Sequence, residues 1–321
     1  MNNAIWLLLV FITILLWASC GLLYKAGVCG GKEAHICLKC SICSGTVFGV
    51  IAIGYMIIRD EPFTIWESAV RYWPMTLFGI AYMIICTISF QGYLYNEVTV
   101  ETPVEGISGG TSTILLILAY LVLGRVDSIH KLLTPLRTAG ILVILVSVIL
   151  LSFVRNRSLR EKTQEQAAGW MKRGLGTLIF PVIFSALDGL ETIVTGICLD
   201  TTYGYAMPEG DSIIIVGMEY AFFAIGLWIY IYCRERKPYN PFGRNSAPMI
   251  LASIMDNLGI VLYSYAMAMN SVSTDPLLAV YPIFAMFGGR ILMKEKVSTA
   301  QYIFLFGIVA GSVMVIAGTI F

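Results

Sequence analysis

A polar stripe with two carboxyl groups runs through an apolar segment in the second half of the chain. Its members recur at steps of three and four residues: Ser185, Asp188, Glu191, Thr192 and Thr195. This spacing places them on one face of a helix. A carboxylate inside a membrane costs about 3 kcal/mol or more and rarely faces lipid. Two on one face therefore predict a water-lined cavity, a bound cation or a bound proton, unless the pair ends the helix or bonds a neighbouring backbone.

Two nearby apolar segments carry further acidic residues. Asp256 is followed by Asn257 in one of them, and Glu219 lies in the other. If the two halves of the chain pack together, we expect the acids of these segments to converge: Asp188, Glu191, Glu219 and Asp256. Alternatively, they form structural hydrogen bonds between helices. Another pair, Glu101 and Glu105, opens a helix, where acids are favoured for electrostatic reasons.

Aromatic side chains recur in or near the same apolar segments. Because ring faces attract positive charge, rings beside carboxylates suit an organic cation. The alternative is an interfacial belt, which is typical of Trp and Tyr near the ends of membrane helices. The candidates for lining a binding site are Trp17, Tyr24, Tyr93, Tyr263 and Tyr281.

Cysteine and histidine give little support for metal binding or catalysis. Cys37, Cys40 and Cys43 have a spacing that can serve a metal or an iron–sulfur cluster. They open an apolar segment, however, so the three thiols would share one helical face, as packing residues do. His35 and His130 are far from each other and from a candidate nucleophile. We therefore predict no metal, no cofactor, no catalytic residue and no enzymatic activity.

The composition indicates that these segments are membrane helices. Hydrophobic residues make up 58% of the 321 residues and charged residues 13%, against about 25% charge in soluble domains. The charges separate apolar runs of about 20 residues, the length that spans a bilayer. The runs lack the alternation of barrel strands, and only helices or closed barrels satisfy their backbone in lipid. We predict an all-α polytopic membrane protein of ten transmembrane helices, at 4–24, 36–58, 70–92, 101–123, 136–154, 174–199, 211–233, 247–269, 274–293 and 299–320.

The second half of the chain resembles the first at a shift of about 171 residues. Gly311 then falls on Gly140, and the Tyr-x-Tyr pattern at Tyr93 recurs 170 residues later at Tyr263. A repeat of five helices crosses the membrane an odd number of times, so its second copy is inverted. Such inverted repeats are typical of transporters. We predict a first five-helix repeat at 1–154, a basic connecting loop at 155–173 and a second five-helix repeat at 174–321.

Short motifs in both halves resemble those of a known family. Leu16-Trp17-Ala18-Ser19 followed by Lys25 is similar to the first-helix start of EamA-type transporters in the drug/metabolite transporter superfamily. The family's ninth-helix signature and its glycine-spaced last helix resemble Tyr281-Pro282-Ile283-Phe284, the turn at 291–298, and Gly307, Gly311 and Gly318. In the first half, Arg125 replaces the Glu of the Leu-Gly-Glu turn. The resemblance implies transport but no single substrate, because the family carries amino acids, nucleobases, choline, nucleotide sugars and drugs.

The acidic segments and the resemblance together predict a secondary transporter that works by alternating access. We expect a small cationic or zwitterionic metabolite, such as an amine or amino acid, with Asp188 and Glu219 as candidates for proton coupling. The alternatives are a broad-specificity efflux carrier of lipophilic cations, and a membrane enzyme or non-transporting sensor. The expected partners are the substrate, the bilayer and a second copy in a homodimer. No nucleic acid is expected, since the basic residues lie at helix ends. The expected location is a prokaryotic plasma membrane.

Basic residues and the resemblance disagree on orientation. Most Lys and Arg fall in the loops after the predicted first, fifth, seventh and ninth helices. The positive-inside rule then places both termini outside the cytoplasm, whereas relatives usually have both inside. The sequence leaves import and export equally open.

Overall fold

The computed structural model describes residues 3–30, 34–58, 65–126, 133–163, 179–295 and 297–320. Regular secondary structure in these ranges is helical, and one short 3-10 helix, Arg244–Ser246, accompanies the α-helices. The α-helices in chain order are α1 (Asn3–Gly30), α2 (Ile36–Ile58), α3 (Ile65–Arg71), α4 (Trp73–Tyr95), α5 (Val98–Glu105), α6 (Ile107–Val122), α7 (Pro135–Thr163), α8 (Ile179–Leu199), α9 (Glu209–Glu235), α10 (Ala247–Leu278), α11 (Tyr281–Leu292) and α12 (Thr299–Ile320).

Long apolar helices confirm the prediction of an all-α membrane protein. In the described part of the chain, eight helical stretches are long and apolar enough to cross a bilayer. They are Asn3–Gly30, Ile36–Ile58, Trp73–Tyr95, Glu101–Val122, Ile179–Leu199, Glu209–Glu235, Arg244–Leu278 and Thr299–Thr319. The predicted fifth helix corresponds to a shorter apolar stretch, Pro135–Leu151. The predicted ninth is divided between the end of α10 and the 12 residues of α11.

Several helices are longer than the sequence predicted, α1 and α7 among them. α1 continues past residue 24 to Gly30, so Lys25 is helical and not part of a loop. α7 continues to Thr163, nine residues into the predicted connecting loop, because Arg, Leu, Glu and Lys in this stretch are good helix formers. The rest of that loop, 164–173, and the predicted start of the sixth helix, 174–178, lie outside the described residues.

Both halves contain interrupted helices. In the first half, α5 follows α4 after only two residues, and α5 separates from α6 at Gly106, three residues after Pro103. In the second half, α10 bends at Asn270, whose φ of −163° and ψ of 82° are not helical. A second break follows at 279–280, before Pro282 at the start of α11. Pro282 suits the break before α11, because proline lacks the N–H that a continuing helix requires but fits the first turn of a new one.

Helices of the first half pack mainly against helices of the second. α1 lies along α10, α2 along α9, α4 along α8 and α7 along α12. The α7–α12 contact is closest at two glycines: a Cβ added to Gly140 would lie 2.6 Å from the Gly311 carbonyl oxygen. Small residues let membrane helices approach this closely. The glycine match found in the sequence therefore marks a helix contact.

Candidate functional site

A cavity of about 150 Å³ lies between helices of the two halves, a volume at which an engineered protein cavity binds benzene. Eight of the ten candidate residues predicted from the sequence line it. They are Trp17, Tyr24, Tyr93, Asp188, Glu191, Asp256, Tyr263 and Tyr281. The cavity is therefore the place where most of the predicted polar and aromatic positions meet.

The acidic stripe of α8 faces this cavity. The Tyr82 hydroxyl donates a hydrogen bond of 2.8 Å to Asp188, and the Thr195 hydroxyl donates one of 2.5 Å to Glu191. Thr192 lies between them on the same face and also lines the cavity. The helical spacing predicted from the sequence thus places both carboxyl groups at the cavity wall.

Asp256 of α10 is held by α1. The Tyr24 hydroxyl donates to its carboxylate at 3.0 Å, and the Cys20 thiol lies 3.9 Å from the other carboxylate oxygen. The Trp17 indole N–H also donates to the Asp256 backbone oxygen, at 3.4 Å. These contacts position the carboxyl group through the helix pair that joins the two halves.

Two further carboxyl groups in the cavity, Glu105 and Asp275, are not among the sequence-predicted site residues. Ser89 and Tyr93 donate hydrogen bonds to Glu105, at 2.5 and 3.1 Å. Ser112 and Tyr263 donate to Asp275 in the same manner, at 2.7 and 3.1 Å. In both cases the tyrosine precedes the carboxylate by 12 residues. That shared spacing, combined with the Tyr-x-Tyr repeat, is the sequence signal that could have found them.

The cavity is acidic without a basic counterpart. Five carboxyl groups line it, and among the described residues around it there is no Lys, Arg or His. Carboxylates at an apolar site need a partner, because an unpaired buried charge is costly. The arrangement therefore suits protons, a cationic ligand or both.

Aromatic rings form much of the remaining wall. Trp17 contacts Tyr263 and Tyr281, with ring centroids 5.4 and 6.4 Å apart. Tyr24 packs on Phe90 at 4.7 Å. Such rings add apolar surface and a favourable face for positive charge beside the carboxyl groups.

Two of the predicted site residues lie elsewhere. The Asn257 amide donates to the Ser44 backbone oxygen at 3.1 Å, which ties α10 to α2. Glu219 of α9 packs against Gly79 of α4, and its carboxylate oxygens accept no hydrogen bond from the described residues. Neither residue lines the cavity, so the structure brings only Asp188, Glu191 and Asp256 of the four predicted acids together there.

The cysteines of α2 pack between helices. The Cys37 thiol donates to the Phe90 backbone oxygen at 3.4 Å, Cys40 is fully buried, and Cys43 lies 3.4 Å from the Tyr239 hydroxyl. Within the described ranges, no three His, Cys, Asp or Glu residues are grouped to hold a metal ion.

Carboxylates from distant segments hold the starts of the interrupted helices near the cavity. Glu295 accepts the backbone N–H groups of Val98 and Thr99 at the start of α5, at 3.1 and 3.0 Å. After the bend in α10, Asp200 accepts the backbone N–H of Ser271 at 3.2 Å. Glu295 lies in the turn at 291–298, which resembles the EamA motif. In the first half, Arg125 occupies the corresponding position, and its guanidinium group stacks on the Tyr205 ring.

Sequence comparison finds a family similarity in the second half of the chain. Residues 200–317 match the model of the EamA-like transporter family. The resemblance predicted from the motifs is therefore confirmed, although the first-helix motif lies outside the matched stretch. No curated protein matches the sequence. A solved crystal structure is similar over 96% of each chain, with a TM-score of 0.62 and 15% identity, which supports the fold alone. The EamA-like match and the apolar helices together indicate a membrane transporter.

Proposed function

We propose that this EamA-like protein is a secondary transporter that carries a small organic cation or zwitterion, such as an amine or amino acid, by alternating access. The observation that carries this proposal is a cavity with five carboxyl groups, many aromatic rings and no basic side chain among its described lining residues. Cations are the ligands that such a surface stabilises best. The cavity also lies between the halves, as transporter sites do.

The recurrence of lining residues supports an arrangement of ten helices as two inverted five-helix repeats, with boundaries at 1–154, 155–173 and 174–321. Many cavity residues of the first half have cavity residues 170 or 171 positions later. The pairs include Trp17 and Asp188, Cys20 and Glu191, Tyr24 and Thr195, Cys86 and Asp256, Phe90 and Ile260, Tyr93 and Tyr263, Glu105 and Asp275, Ser108 and Leu278, and Gly109 and Ala279. Equivalent positions in the two halves thus contribute to one site.

Helix packing gives independent support for the repeats. In this alignment α1 corresponds to α8, and α4 corresponds to the first part of α10. The contact of α1 with α10 therefore matches the contact of α8 with α4, and α2 and α7 each pack on their own counterparts, α9 and α12. Such a pseudo-twofold arrangement lets the halves rock around a fixed site, which opens it alternately to each side.

Two acidic residues remain candidates for proton coupling. Asp188 lies at the cavity, where a proton and a cationic substrate would compete for the same carboxylate. Glu219 lies outside the cavity, and the absence of a described hydrogen-bond donor at its carboxylate favours a bound proton. If Asp188 couples transport, an imposed proton gradient will drive uptake, and Asp188→Asn will abolish this drive but Glu219→Gln will not.

The ring-rich wall also supports a second candidate, efflux of many lipophilic cations. A competition assay separates the two: a selective carrier binds one compound tightly, whereas a broad efflux carrier binds many weakly. A membrane enzyme or sensor remains the alternative from another class. A prokaryotic plasma membrane and a homodimer also stay predictions.

A thermal-shift screen of the purified protein tests the proposal. The ligands are amines, quaternary ammonium compounds, amino acids, nucleobases and sugars. A ligand at 100 times its Kd adds about 2.7 kcal/mol to the free energy of unfolding. We expect selective shifts with cations that vanish in the Asp188→Asn, Asp256→Asn double variant and persist in Glu67→Gln, which changes an exposed acid of α3. Shifts only with neutral or anionic compounds would refute a cation site.

A further inference from the structure

A second cavity, of about 580 Å³, lies at one end of the helix bundle. Its walls come from the end of α3, the start of α4, the ends of α6 and α8, and the loop that follows α8. The lining residues are Arg71, Tyr72, Trp73, Pro74, Leu123, Val194, Ile197, Cys198 and Tyr205. We call this cavity the interfacial pocket, because Trp and Tyr at the ends of membrane helices are typical of the membrane–water interface.

The interfacial pocket and the acidic cavity use different faces of α8. Thr192 and Thr195 line the acidic cavity, whereas Val194 and Ile197 line the interfacial pocket. The two sets of described lining residues have no member in common. The interfacial pocket is therefore a separate site and not an extension of the acidic cavity.

The charge of the interfacial pocket is opposite to that of the acidic cavity. Among its described lining residues, Arg71 has a charged side chain and none has a carboxyl group. Arg71 is exposed and forms no ion pair with the residues that the structure describes. Its guanidinium group lies 5.6 Å from the centre of the Tyr72 ring. An arginine that has no carboxylate partner favours an anion that accepts its N–H groups, and phosphate matches the geometry of these groups.

A second arginine borders the interfacial pocket. The Arg125 guanidinium group lies 4.4 Å from the centre of the Tyr205 ring, and Tyr205 lines the pocket. Arg125 is exposed and, like Arg71, has no ion pair within the described part of the chain. Two tyrosine rings of the pocket wall thus each carry a guanidinium group, which makes this end of the bundle attractive to anions.

Much of the remaining wall is apolar and partly exposed. Leu123, Val194 and Ile197 supply aliphatic surface, and the side chains of Leu123 and Trp73 are 46% and 63% exposed. A free phosphate ion gains nothing from such a wall, whereas the acyl chains of a lipid do. Basic pockets between membrane helices bind phospholipid headgroups, so this combination of charge and apolar surface favours a lipid over a free anion.

We propose that the interfacial pocket binds an anionic phospholipid, with the lipid phosphate at Arg71 and an acyl chain against the aliphatic wall. Arg125, on Tyr205, adds a second positive charge beside the headgroup. The bound lipid contacts the start of α4 and the end of α8, two helices that also line the acidic cavity. The proposal requires a membrane protein but no particular substrate, so it does not depend on the cation transport proposed above.

Lipid binding to the unmodified full-length protein in detergent tests the proposal. Native mass spectrometry would compare the affinities of phosphatidylglycerol and phosphatidylcholine with identical acyl chains. We expect the anionic lipid to bind at least about 5-fold more tightly, the preference that one arginine near a lipid surface provides. Equal binding of the two lipids would overturn the proposal. Thermal unfolding with inorganic phosphate is the second arm: stabilisation as large as that by phosphatidylglycerol would indicate a free-anion site and overturn the lipid.

Two matched arginine variants locate the bound lipid. Arg71→Gln should remove the preference for phosphatidylglycerol, because it removes the charge and leaves the rings and the aliphatic wall in place. Arg290→Gln is the control: its guanidinium group also lies 5.6 Å from a tyrosine ring, that of Tyr302, but Arg290 does not line the pocket. Both arginines are exposed, so we expect both variants to fold. A preference that persists in Arg71→Gln, or that is lost in Arg290→Gln, would overturn the proposed site.

Discussion

Asp256 and Asn257 show how neighbouring polar residues of one membrane helix can have different roles. Asp256 faces the cavity and accepts a hydrogen bond from Tyr24. Asn257 points to α2 and donates to the Ser44 backbone oxygen. A sequence pattern detects both as polar residues in an apolar run, but it does not tell which one faces a site.

We predict separable effects at these two positions. Asn257→Ala should lower the free energy of unfolding by about 1–3 kcal/mol, because Ser44 loses its donor, while substrate affinity stays nearly constant. Asp256→Asn should weaken substrate binding at least about 10-fold with a smaller loss of stability. Thermal unfolding and ligand titration of the two variants measure both quantities. Loss of binding in folded Asn257→Ala would place that amide in the site.

The sequence predicted Asp188, Glu191 and Asp256 as site residues because acids within apolar runs are costly and need a partner. Glu105 and Asp275 escaped that argument. Glu105 and Asp275 each lie near the start of a predicted helix, where an acid has an ordinary electrostatic explanation. Only the fold reveals that both carboxyl groups face the cavity.

At the scale of helices, glycine contacts fix the closest approach between the halves. Gly140 of α7 and Gly311 of α12 face each other, and a Cβ on Gly311 would lie 2.8 Å from the Gly140 carbonyl oxygen. Neither glycine has a positive φ. Glycine is therefore needed here because it lets the two helices approach closely, and not because of its backbone conformation.

A bulky side chain at this contact should separate the two helices. We expect Gly311→Val to destabilise the protein by about 1–3 kcal/mol through overpacking. Gly54→Val is the matched control, since a Cβ there meets no atom within 4 Å. Thermal unfolding in detergent compares the two variants. Equal melting temperatures would mean that α7 and α12 do not pack as described.

The sequence located most helices and the bend in α10, but not the break before α11. α2 and α12 begin and end where the apolar runs do. The predicted end of the eighth helix at residue 269 coincides with the bend at Asn270, but the chain resumes helical geometry at once, and composition carries no signal for that continuation. The short α11 has only 12 residues, so a hydropathy window alone does not separate it from α10.

For the whole molecule, the two-repeat arrangement predicts which ends of the helices share a side of the membrane. Cys29 at the end of α1 and Cys233 near the end of α9 are exposed. In that arrangement, α1 and α9 are the first and seventh of ten helices, and both end on the side opposite the N-terminus. An impermeant maleimide should therefore label both cysteines from the same side of sealed vesicles.

The labelled side also resolves the disagreement over orientation. Labelling from the cytoplasmic side would agree with the positive-inside rule and place both termini outside the cytoplasm. Labelling from the other side would agree with the family resemblance and place both termini inside. Cys29→Ser and Cys233→Ser identify each signal in turn. Labelling of the two cysteines from opposite sides would contradict the ten-helix arrangement.

Transport by purified protein in liposomes tests the central claim most directly. Vesicles loaded with unlabelled 1,4-diaminobutane or 1-aminobutane would be diluted into the same labelled amine, and exchange would be measured over time. We predict rapid exchange by the unmodified protein and by Glu67→Gln, with at least about 10-fold slower exchange by folded Asp188→Asn, Asp256→Asn. Full exchange in the double variant, or no exchange of any cation by the unmodified protein, would contradict a transporter that binds cations through this acidic cavity.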